Sequence, residues 1–287
     1  MQIIPMNTNR ALQSLALLAA IMLSPSVGNA SEVAPEPVRV FVVDDQTGEE
    51  LRTKHGIQPL QVDDLIVLVN AVLLGTTPVQ LVHQAVDEDA TDNGLAQMVF
   101  KPFAGGRPPT APKPNMPLRQ FAEMAKQFQA DRAAWQAKIA SYRKDVELGA
   151  QAFVQSVGET QLEVAQRFDR ILEARNGRDF NRSDIVGCVT AANRILGNTG
   201  RRVLILNTDA EDLPSKRQPR RIPLTAAELD PAVTLIFVNT SRLPEQSVLF
   251  SGVQNPIQHA DSIKEAMELV VGMLGSPSSP GKTAASR

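Results

Sequence analysis

The sequence predicts a doubly wound α/β fold, a mostly parallel sheet with helices on both faces, and three observations carry that expectation. Apolar runs at residues 38–43, 201–209 and 232–241 are continuous instead of alternating, as strands covered on both faces must be. Amphipathic helical stretches separate them. Acidic and hydroxyl residues cluster where those strands stop, and sheets of this type bind ligands at the carboxyl ends of their strands, near the reversal of strand order.

Composition bounds the functional classes. A chain of 287 residues with 43% hydrophobic and 21% charged residues can bury a large core. A net charge of −2 and 4% aromatics provide neither the field nor the stacking platforms of a nucleic-acid binder, so no nucleic-acid partner is expected. Arg10, the apolar run LALLAAIML, Pro25 and the small-residue stretch SVGNA read as a secretory signal peptide over residues 1–30, cut after Ala30. That run is short for a bilayer span, and no later segment reads as one. The expected destination is the periplasm or the outside of the cell. Cys188 is the single cysteine, so no internal disulfide can form, and its place in an apolar helical pattern makes it a buried, inert thiol.

Along the chain, residues 38–43 (VRVFVV) open the fold as a buried strand, and residues 59–74 are apolar enough for a core helix. GTTP breaks that helix, residues 79–86 form the next strand, and residues 95–103 return beside it across a polar turn, hence antiparallel. Residues 104–117 (AGGRPPTAPKPNMP) are a stiff Pro-rich connector. A helical insertion then extends to residue 175. Phe121, Phe128, Trp135 and Tyr142 recur every seven residues, joined by Leu118, Ala125, Ile139 and Val146, and Phe153, Val157, Val164, Phe168 and Ile171 continue the stripe. This predicts two helices, or one kinked at Gly149, along a heptad-like coiled-coil seam able to pack on the domain or to drive self-association through residues 118–174. Residues 183–196 form a helix with Ser183 as the N-cap candidate, and Thr225 with Glu228 make a capping box. Residues 247–253 read as a short strand and residues 259–274 as the closing helix. The domain thus spans residues 38–274, and residues 275–287 form a disordered, low-complexity tail.

The acidic turn after the first strand, VFVVDDQTGEE, has three known settings. A receiver domain would hold magnesium there and use Asp87 as phosphoacceptor, but its Lys-Pro element belongs further downstream than Lys101-Pro102. An aspartate-nucleophile phosphatase needs a second Asp two residues on, where Gln46 or Thr47 stands instead. The third setting agrees in order and context. Asp45 and Thr47 begin the turn, with Glu49 third in DQTGE; Ser183 opens a helix in RSDIVG; Asp209 follows a strand in LNTDAED. In these residues the chain resembles the von Willebrand factor type A (vWA) family and its metal-ion-dependent adhesion site.

The resemblance implies a vWA-like, Rossmann-type fold carrying Mg²⁺ or Mn²⁺ on Asp45, Thr47, Glu49, Ser183 and Asp209. In that family the metal bridges to a carboxylate of a partner protein and catalyses nothing. A hard divalent cation favours such oxygen donors in octahedral array. Glu49 departs from the family's hydroxyl, so both a site whose open position Glu49 fills and a metal-free domain remain open. The basic run KRQPRR places Lys216, Arg217, Arg220 and Arg221 beside Asp209, where they are solvated loop residues or an attraction for an acidic partner. His55, His83 and His259 lack ligand spacing for zinc. The expectation is an exported protein-binding adaptor and not an enzyme; a metal-assisted hydrolase on the same carboxylates and a self-associating structural component are the alternatives.

Overall fold

A computed structural model describes residues 35–45, 58–86, 95–106, 108–113, 117–174, 183–208, 220–238 and 247–274. The expected signal peptide and the expected disordered tail lie outside the described residues. Six strands, β1 (Val38–Asp44), β2 (Val79–Ala85), β3 (Leu95–Phe100), β4 (Arg202–Asn207), β5 (Thr234–Val238) and β6 (Ile257–Ala260), form one sheet in the order β3-β2-β1-β4-β5-β6. Every neighbouring pair is parallel except β2 and β3, the antiparallel edge that their short connection predicted. The chain order reverses on either side of β1, which pairs with both β2 and β4. The doubly wound α/β class is therefore observed.

Alternation along β1 divides the core in two. Val40 and Val42 face helices α1 (Val62–Leu74), α2 (Leu118–Ala174) and α4 (Ile263–Leu274), while Phe41 and Val43 face α3 (Ile185–Leu196) together with Leu224, Leu229, Leu249 and Phe250. With both faces covered, nearly every β1 side chain is buried, which is why its sequence shows no polar alternation. At the amino edge of the sheet, Arg39 donates from Nη1 to the Leu196 carbonyl at 2.8 Å and Arg202 to that of Gly197 at 2.6 Å. Both cations thus sit at the carbonyl-rich end of α3, where the helix dipole favours positive charge.

Two expectations at the C-terminal side are corrected. Residues 247–253 are turns, not a strand; they drive Leu249 and Phe250 into the core, where the Phe250 ring meets that of Phe237 edge-on at 5.1 Å. The sixth strand is Ile257–Ala260, four residues that overlap the start of the expected closing helix. A strand that short carries too little periodicity to be read. Its start is set by the Leu235 N–H donating to the Pro256 carbonyl, and Asn255 bonds the carbonyls of Asp230 and Val233.

The insertion is one helix of 57 residues running through Gly149, about 85 Å long at 1.5 Å per residue. Gly149 serves close approach instead of a break: a Cβ there would stand 2.9 Å from Met98 Cε of β3. Tyr142 donates its hydroxyl to the Lys101 carbonyl just beyond β3, at the amino edge, and burial raises its pKa. Gln161 reaches Asp44 at the carboxyl edge. Between them Ala150, Phe153 and Val157 are buried in the sheet-facing core.

The helix before Trp135 extends past the amino edge. Trp135 donates to the Gly106 carbonyl at 3.1 Å, and Phe103 lies against Trp135 and Tyr142 at ring distances of 6.1 and 5.6 Å. The Pro117 carbonyl accepts from the Phe121 N–H in the first turn of the helix. Pro109 and Pro112 are half-buried at the three-residue spacing of a polyproline turn, as are Phe121 and Phe128 of the helix.

Phe153→Ala should therefore destabilise the protein by about 3 kcal/mol or more, whereas Trp135→Ala, outside the sheet, should cost less than half as much. Urea unfolding followed by circular dichroism reads both, with an unchanged slope expected for Trp135→Ala.

Candidate functional site

β1 ends in Asp44 and Asp45, and strand alternation sends their side chains to opposite faces. Asp44 continues the phase of Val40 and Val42 and is wholly buried. Its Oδ2 lies 3.1 Å from His83 Nε2, which donates in the Nε2–H tautomer, and accepts from Gln161 Nε2 at 2.9 Å. Its Oδ1 accepts from Asn207 Nδ2 at 2.9 Å, and the same amide reaches the Gln58 carbonyl at 3.1 Å. One carboxylate thus joins β1, β2, β4 and the long helix. His83 pairs in register with Val42, and Asp44 with Ala85, so the two side chains are diagonal neighbours on one face. An aspartate beside a histidine is chemically a proton-transfer pair, but both are fully removed from solvent, and His83 Nδ1 is buried without a hydrogen-bond partner. Sealed in this way, the pair holds the fold together. Nearby on α1, burial raises the Asp64 pKa, and the carboxylates of Asp63 and Asp44 add to that rise.

Asp45 turns to the α3 face. Its Oδ2 accepts from the Thr208 hydroxyl at 3.0 Å, and its N–H donates to the Asn207 carbonyl at 2.9 Å. Ser183, also buried, precedes α3 on that same face. The N-cap of α3 is Asp184, not Ser183: Asp184 Oδ1 accepts from the Gly187 N–H at 2.8 Å. That shift leaves the Ser183 hydroxyl out of the cap. Thr47, Glu49 and Asp209 lie outside the described residues. Asp45, Ser183 and Thr208 offer a carboxylate and two hydroxyls, donors of the type a hard divalent cation takes. Among the described residues no three His, Cys, Asp or Glu side chains gather as a ligand set.

Of the basic run, Lys216 and Arg217 lie outside the described residues. Arg221 is exposed. Arg220 is held inside its own loop, donating to the carbonyls of Ile222 and Pro223 and to the Glu228 carboxylate. Glu228 also accepts from the Thr225 N–H and hydroxyl, so only one arm of the expected capping box forms, the Glu228 N–H donating to the Thr225 carbonyl instead, and it closes a turn and not a helix. The Arg220 guanidinium is the main cause that brings the Glu228 pKa from its ordinary 4.5 down to about 2.

The sequence gives no role to Asn207, Gln161 or Thr208 and marks His83 only as lacking the spacing of a zinc ligand. His83 and Asn207 could have been found by their place in strands whose residues are nearly all buried. Gln161 has no local signal, since its partner lies 117 residues away. His259 stands on β6 with its ring stacked toward Phe237 at 6.2 Å, and His55 lies outside the described residues.

No family model matches the chain, and no curated protein does. Among solved structures, the pilus adhesin SpaC from Lactobacillus rhamnosus GG in its open conformation is similar, with a TM-score of 0.38 and 13% sequence identity. The overlap covers 86% of this chain and 31% of the adhesin, so the chain spans about a third of that protein. At that TM-score the likeness assigns neither a family nor a function.

Asp44→Ala strands several buried donors at once and should cost roughly 3 kcal/mol or more, against about 1 kcal/mol for Gln161→Ala, both measured by chemical denaturation. The Glu228 pair loses its contribution only in acid. Its folded pKa is depressed, so its contribution is complete above pH 4.5 and is lost as pH falls toward about 2. Glu228→Gln should accordingly be less stable than the unmodified protein at neutral pH. The gap in denaturation midpoint should close across that window.

Proposed function

We propose that the protein is an exported, protein-binding adaptor of vWA-like type that engages its partner at the carboxyl edge of the sheet through Mg²⁺ or Mn²⁺ at an altered adhesion site. The observation that supports this reading is the placement of Asp45. It is a buried carboxylate at the end of the central strand, turned to the face where Ser183 precedes α3 and bonded by a hydroxyl from the end of β4. Asp45, Thr47, Ser183 and Asp209 would hold the ion, with Glu49 or a partner carboxylate completing its coordination. The ion would supply charge for a bridge, and this chain's residues would orient it.

An adaptor is favoured over a metal-assisted hydrolase by the state of His83. It is the described histidine nearest the acidic turn, and it is shut away from solvent against Asp44. A general base needs a path to substrate and water.

Adding Mg²⁺ or Mn²⁺ should raise the melting temperature of the purified protein, and Asp45→Ala should abolish the rise while leaving the circular dichroism spectrum intact. A protein indifferent to divalent cations would reject the metal bridge. Cation-dependent turnover of a phosphoester panel would favour the hydrolase instead.

A further inference from the structure

The connector and the first half of α2 are markedly basic. Between residues 101 and 146 basic side chains outnumber acidic ones nine to three, a surplus of six. On a chain of formal charge −2, taking away that +6 leaves −8 for all other residues. The basic residues occupy the part of the helix near and beyond the amino edge; Lys126, Arg132, Lys138 and Arg143 are all exposed there. Among the described residues, the ion pair formed by these cations is Arg119 with Glu123, at 4.0 Å and almost fully in solvent. Such a pair contributes little.

The opposite edge is acidic. Asp63 and Asp64 open α1, Glu159 and Glu163 flank Gln161 on α2, and Asp261 and Glu265 stand at the start of α4, six acids against Lys264, Arg167 and Arg170 among the described residues. All of these belong to the carboxyl edge, since α1 and α4 follow strand ends there and Gln161 bonds Asp44.

One rigid helix separates the two regions. Lys126 and Glu159 are about 50 Å apart at 1.5 Å per residue, several times the Debye length of about 10 Å at ordinary salt. The arm therefore cannot neutralise the acidic edge of its own molecule, but it can meet that of another. We propose that the protein associates head to tail, the basic arm of one copy seated on the acidic carboxyl edge of the next. Because the two surfaces differ, the contact is heterologous and builds rings or open chains instead of a closed two-fold dimer. The apolar stripe of the arm is half-buried and is not what drives it, and the contact needs no metal.

Sedimentation velocity on the purified full chain tests this. At low salt, species larger than the monomer should grow with concentration and disperse at high salt. The double variants Lys126→Glu/Lys138→Glu and Glu159→Lys/Glu163→Lys alter exposed helical positions, and each alone should associate roughly tenfold more weakly or not at all. An equimolar mixture of the two should recover the large species, because each reversed surface then meets a complement. A monomeric unmodified protein at low salt would overturn the proposal. So would a mixture that stays monomeric, or an arm variant that associates undiminished. Loss of binding to anionic lipid vesicles by the arm variant, with the unmodified protein monomeric, would assign the arm to a membrane surface instead.

Discussion

A carboxylate with no access to water must be matched by donors, and Asp44 is placed where those donors have to come from several elements at once. It ends the central strand, on the face covered by the long helix, and His83 of β2, Asn207 of β4 and Gln161 of α2 each supply a contact. Desolvating the charge without them would be costly, so the register of β1 against β2 and β4 and the longitudinal position of a 57-residue helix are fixed together. Tyr142 and Gly149 hold the same helix nearer the amino edge, so its position is set at both edges of the sheet.

Alternation then gives the adjacent aspartate a different task. Asp45 faces α3, meets Thr208 and shares its side of the sheet with Ser183. Two neighbouring residues of one sequence motif thus serve opposite faces, one as a sealed structural contact and one at the edge where doubly wound sheets bind ligands. The same helix that Asp44 anchors carries a basic arm past the amino edge, so the position of that arm follows from a contact at the far edge.

Much of the fold was legible in the sequence. Continuous apolar runs marked β1, β4 and β5, the GTTP break marked the start of β2, and the short polar turn marked β3 as antiparallel. The long helix was legible as an apolar stripe, but Gly149 read as a break, because a glycine lowers helix propensity whether or not a neighbour needs the space its side chain would occupy. Only Met98 of β3 supplies that reason. The strand Ile257–Ala260 was missed because four residues carry no usable period, and residues 247–253 were misread because burial in a turn and burial in a strand select the same apolar residues. In the site, Ser183 looked like the cap of α3 because serine and aspartate both accept the amide bond; the local backbone gave that bond to Asp184.

By itself the sequence determined the class of fold, the order of its elements and the concentration of polar chemistry at the strand ends, since these follow from local hydrophobic pattern and from turn residues. The tertiary structure alone decided which aspartate is sealed and which is turned to the α3 face, and that His83 and Gln161 belong to the first. Those outcomes depend on strand register and on a contact across 117 residues, and no local pattern carries either.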